Sequence, residues 1–105
     1  MSERLRKVAE RLGHENLWYM LDIHGEPYKL YWNDGLKNHE FNPHTNPAQL
    51  VECIEWLGSK NCELFKDDGY WFVYQNNCWP EGRKQLAHEE LLADAVINAI
   101  AGEEE

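Results

Sequence analysis

Phe41-Asn42-Pro43-His44-Thr45-Asn46-Pro47-Ala48-Gln49-Leu50-Val51-Glu52-Cys53-Ile54-Glu55-Trp56-Leu57-Gly58 reads as a turn that opens into a helix. Its start and stop are both written in side-chain chemistry. Asn46 can cap the amides of the first turn, and Pro47 stands where a missing N–H costs nothing. Gly58 can take the left-handed conformation that ends a helix. The spacing predicts a helix over 47–57, with Leu50, Val51, Ile54 and Leu57 on a core stripe and Glu52, Glu55 and Ser59 outward.

Beyond this helix lie two β-rich runs, 62–66 and 70–75, joined by Asp67-Asp68-Gly69. Asp-Gly between such runs is the strongest hairpin signal in the chain. The second run carries bulk on both faces: Trp71 and Val73 on one, Tyr70, Phe72 and Tyr74 on the other. A strand apolar on both sides usually lies between helices. The expected fold is therefore α+β: a small, mostly antiparallel sheet flanked by three helices, an α-β-α sandwich. A sharper alternative leaves one aromatic face uncovered as a docking surface.

Residues 76–82, with Trp79-Pro80, read as a loop and 83–87 as a short strand. A last helix over 88–101 would place Leu92, Ala95, Val96, Ala99 and Ile100 on one face. Glu89 and Glu90 would then sit at the positive end of its dipole. Gly102 closes it, and 103–105 form an acidic tail. On the N-terminal side, Ser2 reads as the cap of a helix over 3–12, with Leu5, Val8, Ala9 and Leu12 on one face and Gly13 at its end. Residues 17–23 fit a helix or a strand equally. His24-Gly25-Glu26-Pro27 breaks the pattern, 28–32 look extended, and Asn33-Asp34-Gly35 is a turn. Residues 1–102 form one domain.

Among 105 residues, ten basic side chains face nineteen acidic ones, for a formal charge of −9. Residues 1–13 carry +2 and the remainder −11. That balance repels phosphate backbones and anionic lipid, so direct nucleic-acid and membrane binding are not expected. Cys53, Cys62 and Cys78 show no C-x-x-C spacing. The N-terminus is charged, and no apolar run approaches the roughly 20 residues of a membrane span. Reduced thiols in a cytoplasmic protein are the expectation.

Four segments in order carry a family resemblance. They are Val8-Ala9-Glu10-Arg11-Leu12-Gly13, the turn and helix from Phe41-Asn42-Pro43 through Trp56-Leu57, the hairpin aromatics Tyr70-Trp71-Phe72-Val73, and an Ala-rich end with Ala93, Ala95, Ala99 and Ala101. In these the chain resembles the phage ABA-sandwich family of small phage and prophage proteins. Residues 14–40 depart from that pattern, being longer and more aromatic. The resemblance implies a fold and a phage context, and no catalytic residue.

No constellation for chemistry assembles. His14, His24, His39, His44 and His88 lack the paired ligand spacing of zinc sites, so no metal and no cofactor is expected. His88-Glu89-Glu90 has Leu92 where an H-E-x-x-H motif needs histidine. Asp67-Asp68-Gly69 is accounted for by turn geometry. Cys53 sits mid-helix, where no dipole activates a thiol. The chain is not expected to be an enzyme. Tyr70, Phe72 and Tyr74 could stack bases, but Glu63, Asp67 and Asp68 flank them without the basic groove such platforms carry.

The leading expectation is a small acidic protein-binding module. Its anchors would be the aromatics Trp18, Tyr19, Tyr28, Tyr31, Trp32 and Trp79, with Asp67 and Asp68 beside them, because rigid aromatic side chains dominate binding hot spots. The alternative is an acidic inhibitor of anti-CRISPR type, whose Glu52, Glu55, Glu63, Asp67, Asp68, Glu89, Glu90 and Asp94 mimic phosphates. A metal protein or enzyme ranks last. A homodimer through a hairpin edge is compatible with the pattern.

Overall fold

The computed structural model describes residues 3–76 and 82–102. The order is α1 (Glu3–Arg11), β1 (Trp18–Leu21), β2 (Pro27–Asn33), β3 (Asn38–Glu40), α2 (Pro47–Ser59), β4 (Cys62–Asp67), β5 (Tyr70–Asn76), β6 (Arg83–Glu89) and α3 (Leu92–Gly102). The class is α+β. The strands form two antiparallel three-stranded meanders, β1-β2-β3 and β4-β5-β6, rather than one layer. No described helix is long and apolar enough to cross a membrane.

α2 begins as its sequence dictates. The Asn46 side chain accepts from the Gln49 amide, with Pro47 opening the helix. It ends differently. Gly58 lies inside the helix, and the left-handed residue is Asn61, at φ 64°. The core stripe also shifts: Cys53 and Leu57 are buried, Leu50 and Ile54 pack beside them, and Val51 is 52% exposed. Positions 50, 53, 54 and 57 share one side of a 3.6-residue helix, and Val51 falls off it.

The hairpin forms as read. Asp67 pairs with Tyr70 across the two-residue turn Asp68-Gly69, both at positive φ. The last strand runs longer than the sequence suggests, because the ladder continues through Phe72↔His88 to Trp71↔Glu89. α3 therefore starts at Leu92, not residue 88. Glu89 belongs to a strand, and the acidic residue in the first turn of α3 is Asp94.

α3 is the centre of the core, with Ala95, Val96, Ile97, Ala99, Ile100 and Ala101 buried. Alanines let its neighbours approach closely, and it touches α1, α2, β5 and β6. In the second sheet, α2 and α3 cover the face carrying Leu64, Val73 and Ala87. The opposite face carries Phe65, Phe72 and Tyr74, which join no part of the core cluster. Burial between helices, the simpler expectation for a strand bulky on both sides, is thus met on one side only.

The first sheet reaches the core through one face. Leu30 and Phe41 are fully enclosed, the Phe41 amide donates to the Leu30 carbonyl at 2.8 Å, and Tyr19 and Trp32 pack against the cluster.

Candidate functional site

Alternation along β4, β5 and β6 places Phe65, Phe72 and His88 in one cross-strand row, flanked by Tyr70 and Tyr74. Their rings are in mutual contact. Phe65 lies 5.4 Å from Phe72 and 5.5 Å from Tyr74, in near-parallel planes. His88 stacks on Phe72 at 4.5 Å and meets the edge of Tyr70 at 4.7 Å. Phe65 and Tyr70 are 37% and 38% exposed. Among the described residues, Phe65, Phe72 and Tyr74 form a contiguous aromatic patch outside the core cluster.

Carboxylates rim it. Asp67 and Asp68 occupy the hairpin tip, and Glu63 stands opposite Tyr74. Arg83, from β6, lays its guanidinium 4.5 Å from the Tyr74 ring centroid and pairs with Glu63. Asn76 donates to the second oxygen of Glu63 at 3.3 Å, and the Tyr74 hydroxyl donates to Gln85 at 3.1 Å. This corner already holds an arginine between a ring face and a carboxylate, an arrangement that cation–π attraction and a charged hydrogen bond both favour.

The aromatics named from sequence do not converge on one site. Trp18 and Tyr31 stack at 4.7 Å on the first sheet, and the Trp18 indole donates to Asn38 at 3.1 Å. Tyr28 is 47% exposed beside a cleft, and its hydroxyl donates to the Met20 sulfur. Tyr19 and Trp32 face the core instead. Trp79 lies outside the described residues. Only Asp67 and Asp68 border the open face, whose own members Phe65, Tyr70, Phe72, Tyr74 and His88 were not among the named anchors. Their signal was the period-two alternation of the hairpin, outweighed by the rule that favours burial on both sides.

Of the eight carboxylates suggested as phosphate mimics, four hold a side-chain partner among the described residues. Glu52 faces His14 at 3.3 Å, Asp94 faces His44 at 2.7 Å, Glu89 accepts from Asn98 at 2.6 Å, and Glu63 holds Arg83.

His14, His39 and His44 each contact a single carboxylate, and among the described residues no three His, Cys, Asp or Glu side chains converge as metal ligands. His39 hydrogen-bonds Asp34 at 2.8 Å. With the Lys37 and Leu36 amides, that contact holds the Asp34 carboxyl well below the usual carboxylate range. Burial, aided by the neighbouring charge of Glu52, pushes the Cys53 thiol up to about 12, the reverse of an activated nucleophile. Compared with protein-family models, curated proteins and solved structures, the chain matches none.

Proposed function

We infer that this chain is a non-enzymatic protein-binding module, and that the open aromatic face of the β4-β5-β6 sheet is its docking surface. The observation that carries this reading is the stacked row of Phe65, Phe72, Tyr74 and His88, outside the core cluster of the described residues and bordered by Glu63, Asp67 and Asp68. Apolar rings ringed by carboxylates fit a protein that presents arginine or lysine beside an apolar patch. The arginine already seated between Tyr74 and Glu63 supports that chemistry. The overall charge of −9 would speed encounter with a basic partner. The resemblance to small phage proteins adds an accessory role in a phage or prophage as the setting.

The test is capture from a host lysate with the native chain and with Phe65→Ser, at low and moderate salt. A discrete basic protein retained by the native chain and lost with Phe65→Ser is the expected result. Equal retention by both chains, or recovery of nucleic acid alone, overturns the reading. So does light scattering that shows a second copy of the chain seated on this face.

A further inference from the structure

The second sheet has an unpaired edge beside its aromatic face. β4 pairs with β5 alone. Asp67 and Tyr70 flank a two-residue turn and so form a hydrogen-bonded pair, and such pairs alternate along an antiparallel ladder. The Asn76 amide donates to the Asn61 carbonyl at 2.9 Å, which sets the same parity at the far end. Glu63, Phe65 and Asp67 therefore turn their backbone groups toward β5. Leu64 and Lys66 turn theirs outward, where they meet no backbone partner among the described residues.

An open edge invites a further strand, and proteins often guard it with a lysine. Lys66 is drawn back instead. Its ammonium lies 5.7 Å from the Trp71 ring centroid, across its own sheet. Alternation sets Glu63, Phe65 and Asp67 together along the open face of this edge, and all three are exposed. A ring between two carboxylates selects what can lie alongside. A second copy aligned antiparallel, Phe65 against Phe65, sets Glu63 against Asp67 at both ends, and like charges directly opposite repel. A strand with a basic residue on either side of an aromatic one finds a complement at each position. Glu63 already holds Arg83 beside the Tyr74 ring, and a carboxylate has lone pairs for a further donor.

We propose that β4 takes up an extended segment of a basic partner as an added strand, with an aromatic residue opposite Phe65 and arginine or lysine opposite Glu63 and Asp67. This rests on the docking surface inferred above, and it names the conformation and residue pattern that the surface receives. Backbone bonds to Leu64 and Lys66 supply affinity, and the alternate side chains supply selectivity.

The test is amide hydrogen exchange and ring resonances of the full chain, titrated with acetylated and amidated Thr-Arg-Thr-Tyr-Thr-Arg-Thr. Two control peptides accompany it. One carries glutamate for both arginines. The other is N-methylated at the threonines flanking tyrosine, which keeps every side chain and removes the donors that face Leu64 and Lys66. Saturable binding is expected, with exchange of the Leu64 and Lys66 amides slowed at least about tenfold. Both controls should bind about tenfold more weakly. The Phe65 and Asp67 amides, already bonded to β5, serve as the reference. Shifts of the Phe65 and Phe72 rings without slowed exchange, or equal binding by the N-methylated peptide, overturn strand addition and leave the docking face standing. Equal binding by the glutamate peptide overturns the basic pattern in both readings. Slow exchange of Leu64 and Lys66 in the free chain, or no saturable response to the arginine peptide, overturns this proposal alone.

Discussion

The indole of Trp32 lies against the imidazole of His14, ring centroids 4.2 Å apart, joining the end of α1 to the inner face of the first sheet. His39 stacks on Trp32 at 4.4 Å, and His14 also meets Phe41 at 5.6 Å. This column ties the first sheet to the chain that follows α1. The Trp32 Nε1 is buried and finds no acceptor among the described residues, so its ring contacts must hold it. A double-mutant cycle with His14→Ala and Trp32→Ala, read by urea unfolding, should return a coupling of about 0.5–1.5 kcal/mol. Additive losses would show the stack to be incidental.

The two ends of α2 respond in opposite directions. Asn46→Ala removes the acceptor for the Gln49 amide and should cost about 1 kcal/mol. Gly58→Ala should stabilise by about 0.5–1 kcal/mol. The position is helical, and a Cβ there meets nothing within 4 Å. Urea midpoints measure both, and a loss of stability in Gly58→Ala would mean that the helix ends earlier than described.

The two faces of the second sheet should differ sharply in cost. Ile100→Ala, fully enclosed in α3 beneath the covered face, should lose about 2–5 kcal/mol. Phe65→Ser on the open face should lose under about 1 kcal/mol, since its ring meets the half-buried Phe72 and Tyr74 and no part of the core cluster. Similar losses at both positions would indicate that the open face is covered in solution.

Asp34 gives acid sensitivity of defined sign. Its carboxyl is depressed chiefly by the His39 hydrogen bond, then by the Lys37 and Leu36 amides. A depressed folded value contributes stability above the ordinary carboxylate pKa of about 3.9, and that contribution is lost as pH falls below it. Asp34→Asn should therefore melt below the native chain at pH 7, with the gap closing in strong acid. A gap independent of pH would assign the effect to turn geometry alone.

Cys53 should resist alkylation by iodoacetamide in the folded chain and react at the rate of unfolding. It is fully enclosed, and its thiol is raised from 9.0 to about 12. A raised folded value gives stability that is complete below pH 9.0 and declines as pH rises toward about 12. Cys53→Ala, although less stable near neutrality through lost packing, should show a shallower alkaline decline. Rapid labelling at neutral pH would contradict the burial.

Local chemistry sufficed for the elements whose signals are short in range. Asn46-Pro47 set the start of α2, Asp68-Gly69 set the hairpin, and Gly13, at φ 94°, follows the end of α1. These depend on a few bonds between near neighbours, which the residues themselves specify. Where a ladder or helix stops depends instead on distant partners. β6 reaches Glu89 because Trp71 lies opposite, a pairing eighteen positions away that no local propensity encodes.

The three helices, the central hairpin, the acidic balance and the aromatic alternation of β5 were legible in the residues alone, whereas β1 and β3 were not. Which side of the second sheet receives the helices was decided only by tertiary packing. Alternation divides a strand into two faces without saying which is covered, and only the packing of α2 and α3 makes it the Leu64, Val73 and Ala87 side. The contact between His44 and Asp94, fifty positions apart, is likewise made only when the chain closes and brings them within 2.7 Å.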